Sequence, residues 1–150
     1  MYKRQYNTIA AIVAATTFPV FANGDIDSPQ KALSVRERTG AAGIMIGRGA
    51  HGRPWLCGQI ASYLETGLVL PEPSIEERFT IIQRHLAELH DFYGEFMGVR
   101  IARKHMGWYL EHLPVEGDWR KRFNALAHPD EQRRMADQIL NSLIHKELAA

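Results

Sequence analysis

The chain has 150 residues, 45% hydrophobic and 23% charged, the length and balance of one ordinary globular domain or two small ones. A net charge of +1 excludes a global pull toward nucleic acid, so any contact with RNA must come from a local cluster. One cysteine, Cys57, excludes an intrachain disulfide, and no Cys/His cluster has zinc spacing, so no metal is expected.

At the start, Lys3 and Arg4 precede an apolar run, the outline of a short secretory signal. Thr16 and Thr17 interrupt it, and "FPVFANGD" reads better as a strand with a functional end. No stretch is apolar for long enough to span a membrane, and a cytoplasmic location is expected. Ile9, Ile12 and Val13 share one helical face. "FPVFA" is a short apolar strand introduced by Pro19. Ser28 as N-cap, Pro29 at the first helical position and Gly40 as a stop delimit a helix. "GIMI" is a second apolar strand, and a helix follows with Pro54 near its start and Gly67 at its end. Two apolar strands separated by a helix form a βαβ pattern with buried parallel strands.

Residues 1–67 are thus an α/β region, and the two prolines in residues 68–73 make a linker. Residues 74–150 read as a small helical bundle. Ser74 and Glu77 make a capping box, and Ile75, Phe79, Ile82, Leu86, Leu89 and Tyr93 form an apolar stripe. "GEFMG" breaks the chain. "VRIARKHMGWYLEHL" and "DWRKRFNALA" are the next helices. The last helix carries acidic residues early and a basic one late, as the macrodipole prefers.

Both strands end in polar turns that contain glycine. Ligands collect at the carboxyl ends of parallel strands, and the last two strand ends of a (β/α)₈ barrel commonly form a phosphate site. Gly24 and Gly47 permit close backbone approach. The amides of Gly47, Arg48 and Gly49 and the fork of Arg48 suit an anion, while Asn23 and Asp25 suit hydroxyls beside it. Each turn taken alone also fits a plain glycine turn with a solvated arginine. Asp27 or Ser28 caps the next helix, and Arg53 shapes the helix entry before Pro54.

In the second half, Arg100, Arg103 and Lys104 fall on one helical face, with His105 beside them. Ile101, Trp108 and the Met106–Leu110 pair face the bundle. Like charges this close repel, so the face suits either a polyanion or solvent with partial pairing to Glu95 or Glu111. Arg120, Lys121 and Arg122 form a second cluster.

The blocks "PVFANGDIDSPQKA", "GAAGIMIGRGAHGRPW" and "HDFYGEFMGVRIARKHMGWYL" resemble the carboxyl-terminal part of bacterial tRNA-dihydrouridine synthases, most similar to the DusB branch. The resemblance runs from about Ile9 to about Leu126 and more loosely beyond. It implies the last two βα units of a TIM barrel followed by a helical tRNA-binding domain. It also implies an FMN-dependent oxidoreductase that uses NADPH to reduce the C5–C6 bond of uridines in tRNA, as a monomer when complete. By resemblance, Asn23, Gly24, Asp25, Gly47 and Arg48 hold FMN at its phosphate end, and Arg100, Arg103, Lys104 and His105 contact tRNA backbone.

The family's proton-donating cysteine belongs to an earlier barrel loop, so no catalytic residue is assigned here and Cys57 is read as a packing residue. "MYKRQ" departs from the family pattern and is expected to be a foreign start to an incomplete chain. Two strands cannot close a barrel, so the first half is expected not to fold stably alone and the chain to lack catalysis. The competing readings are a non-enzymatic RNA-binding helical module with a vestigial α/β leader, and another phosphate-binding barrel such as a sugar-phosphate isomerase.

Overall fold

A computed structural model of the chain describes residues 2–148, with side chains over residues 5–144. The early basic pair and the basic residue late in the last helix lie outside the described side chains. The chain divides into two compact units between Pro71 and Glu72. No described helix is long and apolar enough to cross a membrane.

The first unit opens on α1 (Tyr2–Ala15), which includes most of the stretch expected to be foreign. β1 (Phe21–Asn23) and β2 (Gly43–Met45) pair in parallel, with Phe21 opposite Gly43, Ala22 opposite Ile44 and Asn23 opposite Met45. Between them runs α2 (Pro29–Thr39). Ser28 Oγ accepts from the Lys31 amide at 3.3 Å, and Gly40 closes the helix at φ 65°. A single 3-10 turn, Arg48–Ala50, leads from β2 to α3 (Leu56–Thr66), which ends on Gly67 at φ 74°. Left-handed closure of this kind favours glycine, which has no Cβ to clash.

Tyr6, Ala22, Ile26, Ala32, Val35, Leu56 and Ile60 form the core of this unit. The strands were expected to be buried on both faces. Ala22 is fully buried, but Phe21, Met45 and the nearby Phe18 are exposed, so helices cover one face of the two-stranded sheet only. Cys57, expected to pack, is exposed. Its neighbours Leu56 and Ile60 fill the inner face of α3 instead.

The second unit is all helical. α4 (Ile75–Leu110) begins on the expected capping box. The Ser74 amide donates to Glu77 Oε2 at 2.7 Å, and the Glu77 amide donates to Ser74 Oγ at 3.2 Å. Gly94, at φ 73° and ψ 170°, interrupts the helical backbone, and the second half of α4 runs back along the first. Arg78 therefore reaches His112 O, and His85 reaches Tyr109. At the elbow the two backbones touch: a Cβ on Gly98 would lie 2.8 Å from His90 Cα.

α5 (Trp119–Ala125) and α6 (Pro129–Leu148) complete the unit. Phe79, Ile82, Leu86, Met106, Phe123 and Ile139 are its most buried apolar side chains, each contributing roughly 1.5–3 kcal/mol by leaving water. Tyr93, placed at the end of the apolar stripe, is half exposed. Val99, Ala102, Met106 and Tyr109 form the buried face of the second half, with Ile101, Trp108 and Leu110 only half-buried. Gly94 ends the period of the stripe one residue after Tyr93.

Candidate functional site

The carboxyl ends of β1 and β2 lie side by side because the strands pair in register. Asn23, Gly24, Asp25, Gly47 and Arg48 therefore line one cavity of about 170 Å³, together with Gln5, Ile26 and Gly49. Gly24 has φ 143° and Asp25 has φ 43°, a sharp reversal that glycine accepts and that aspartate tolerates better than most residues. Tyr6 Oη donates to Gly24 O, and Gln5 Nε2 donates to Asn23 O at 3.4 Å. Helix α1 thus braces the first turn.

The second turn is held against the first by its lack of a side chain. A Cβ on Gly49 would lie 2.2 Å from Ile26 O, whereas a Cβ on Gly47 would meet nothing within 4 Å. Gly49 permits the contact between the loops, and Gly47 has open space on its side-chain side. Arg53 Nη2 donates to Asp27 O at 3.1 Å, so this arginine ties the second loop to the first in addition to preceding Pro54. Arg48 Nη2 donates to Asp25 Oδ1 at 3.2 Å. Ser28, rather than Asp27, supplies the side-chain cap of α2.

The basic residues of α4 separate into two roles. Arg100 and Lys104 are exposed. The Arg100 guanidinium lies over the Phe96 ring at 5.3 Å, and Lys104 Nζ lies over Trp108 at 4.9 Å. Arg103 is half-buried and donates from Nη2 to Leu126 O at 2.9 Å, fastening the end of α5. His105 packs edge-on to His85 and Trp108. The two carboxylates considered as partners for this face turn elsewhere: Glu95 to His128 at 3.0 Å and Glu111 to Arg120 at 3.3 Å.

Behind this face, His85 Nδ1 and Tyr109 Oη are 2.9 Å apart. Burial lowers the His85 pKa and pushes the Tyr109 phenol up to about 12, so both are neutral near pH 7. Gln132, fully buried, donates to Val99 O at 3.1 Å and pairs with His90 Nε2 at 2.8 Å. Its Oε1 must then accept from His90, which fixes the imidazole tautomer. The expectations from sequence did not include Gln132, the contact of Gly49 with Ile26 O or the close approach of the backbones at Gly98. A glutamine on an otherwise apolar helical face is the one signal that pointed to the first. Among the described residues, no group of three or more His, Cys, Asp or Glu is placed to hold a metal ion.

Comparison with known proteins matches residues 1–145 to the family Dihydrouridine synthase (Dus), so the opening residues fall within the match. tRNA-dihydrouridine synthase B of Pseudomonas aeruginosa is 56% identical over 128 residues, 85% of this chain and 39% of the relative. The protein of that name in Xanthomonas axonopodis pv. citri is 50% identical over 140 residues, 93% of this chain and 42% of the relative. The Vibrio cholerae protein is 49% identical over 134 residues, 88% and 42%. The chain thus spans about two fifths of the length of these curated relatives.

Proposed function

Because the chain belongs to the dihydrouridine synthase family, we propose that its strand ends hold the phosphate end of FMN and its helical unit binds tRNA. In that reading the first unit is the last two βα units of a TIM barrel. The reaction served is NADPH-dependent reduction of uridine in tRNA. The observation that carries the reading is the shared cavity at two adjoining parallel strand ends, lined by Asn23, Gly24, Asp25, Gly47 and Arg48.

The donor set fits the anion. Gly47 lines the cavity with no side chain to fill it, and Arg48, 83% exposed on its side chain, has donors beyond the one it gives to Asp25. At about 170 Å³ the cavity is smaller than the roughly 300–1,000 Å³ typical of a whole small-molecule site. It suits a phosphate and its first hydroxyls, which Asn23 and Asp25 would bind, and not a flavin ring. FMN held there would supply hydride chemistry for the uridine C5–C6 bond, with NADPH as its reductant. This chain's residues grip and orient its tail. None of them is assigned the proton transfer, since Cys57 stands on the exposed side of α3 and does not line the cavity. The chain alone is therefore expected to lack turnover.

Arg100, Lys104 and His105 are the proposed backbone contacts to tRNA, giving affinity rather than sequence choice. Arg103, bonded to Leu126 O, supports this face from below while keeping its charge near it. A gel-shift with tRNA, run beside a flavin absorbance scan, tests both halves. Binding of tRNA without flavin would favour a purely RNA-binding module. Flavin retention without any RNA shift would remove the role given to the second unit.

A further inference from the structure

The charges of α4 do not stand alone. Phe96, Arg100, Lys104 and Trp108 follow one another at four-residue spacing, so each lies beside the next on a stripe of about 18 Å that drifts about a third of a turn around the helix. Each cation lies over a ring: Arg100 over Phe96, Lys104 over Trp108. The order along the face is ring, cation, cation, ring. Phe96 is 71% exposed, a state that a large apolar side chain seldom holds without use when its neighbours share it. Phe92, 81% exposed, and Tyr93 are further exposed rings just before the Gly94 elbow.

Among the described residues, neither Arg100 nor Lys104 has an ion pair, since Glu95 and Glu111 are committed to His128 and Arg120. A ring platform interleaved with unneutralised cations matches one partner chemistry. Phosphates satisfy the cations, and a flat π-face covers the ring. A nucleobase inside a duplex has both faces covered by its neighbours, so the ring needs a base that is out of the stack. We propose that the Phe96–Trp108 face of α4 stacks an unpaired nucleobase of RNA, with Phe96 as the platform and Arg100 and Lys104 holding the flanking phosphates. The proposal rests on the tRNA-binding reading and adds to it a preference for unpaired over paired RNA.

The test compares the full chain with Phe96→Ala, Phe96→Trp and the double variant Arg100→Ala, Lys104→Ala. The probes are a tRNA transcript and a fully paired, blunt-ended RNA duplex, titrated across a salt series. Phe96→Ala is expected to weaken tRNA binding about tenfold with an unchanged salt slope and no effect on the paired duplex. Phe96→Trp should retain wild-type affinity. The double variant should flatten the salt slope by about two on both probes.

Wild-type tRNA binding that ignores Phe96→Ala overturns the stacking role while leaving the tRNA reading intact. Equal loss on both probes overturns it as well. Absence of wild-type binding to either RNA overturns both. A lowered thermal midpoint or altered oligomeric state in Phe96→Ala shows the ring to be covered by protein, which also overturns the proposal.

Discussion

Arg48 and Asp25 meet across the ends of two parallel strands, Nη2 to Oδ1 at 3.2 Å. The ion pair is well exposed, so it is worth little to stability in itself. Its significance is positional, since it holds a forked cation at the mouth of the cavity formed by both turns. Only one of the five guanidinium donors need be given to Asp25, which leaves the others for an anion.

Gly49 is the first point at which this arrangement can be broken. A methyl group placed 2.2 Å from Ile26 O forces the two loops apart, at a cost of about 1–3 kcal/mol by analogy with overpacked cores. Denaturant titration of the chain is expected to show two phases, one for each compact unit. Gly49→Ala should move only the phase of the first unit to lower denaturant, whereas Gly47→Ala, with nothing near its Cβ, should move neither by as much.

Gln132 is the equivalent point in the second unit. Replacing it with Ala strands His90 Nε2 and removes a donor from Val99 O. Leaving a buried polar group unsatisfied costs about 1–3 kcal/mol. The variant should lower the thermal midpoint of the helical phase and accelerate amide exchange at the elbow around Gly94.

Arg103 and Lys104 are adjacent and both cationic, but Arg103 is hydrogen-bonded to Leu126 O while Lys104 only lies over the Trp108 ring. Arg103→Ala is expected to lower stability by about 1 kcal/mol and to loosen the junction of α5 and α6. Lys104→Ala should leave unfolding unchanged and reduce the slope of log affinity for tRNA against log salt by about one. Paired denaturation and binding measurements on the two single variants separate the roles.

Two histidines give stability opposite pH dependences. Burial lowers the pKa of His85 in the fold, so below its unfolded value the unfolded chain binds the proton more readily. Its contribution is present above about 6.5 and is lost as pH falls from there through the folded pKa. Glu95 and Glu131 raise the pKa of His128, so its contribution is full below about 6.5 and fades as pH rises through the folded pKa. His85→Asn should therefore flatten the loss of thermal midpoint on the acidic side, and His128→Asn the loss on the alkaline side.

Local features of this fold were legible in the sequence. Ser28, Gly40, Gly67 and the Ser74–Glu77 box act on backbone groups within four residues of themselves, so their types announce their places. The cavity residues were legible because strand ends and glycine turns have a consistent geometry. Residues whose roles depend on distant partners were not. Arg103 looks like its exposed neighbours until Leu126 O arrives from a helix end more than twenty residues away. Tyr93 fits the helical period of the stripe and loses its place because Gly94 ends that period one residue later. Cys57 has the type of a packing residue, yet the inward positions of α3 fall to Leu56 and Ile60.

The most direct measurement is calorimetric titration of the full chain and of Arg48→Ala with FMN and with riboflavin, which lacks the phosphate. The expected result is tighter binding of FMN than of riboflavin by the wild-type chain, with the difference abolished in Arg48→Ala. Equal affinity for the two flavins, or a preference for FMN that survives Arg48→Ala, would contradict a phosphate site at these strand ends.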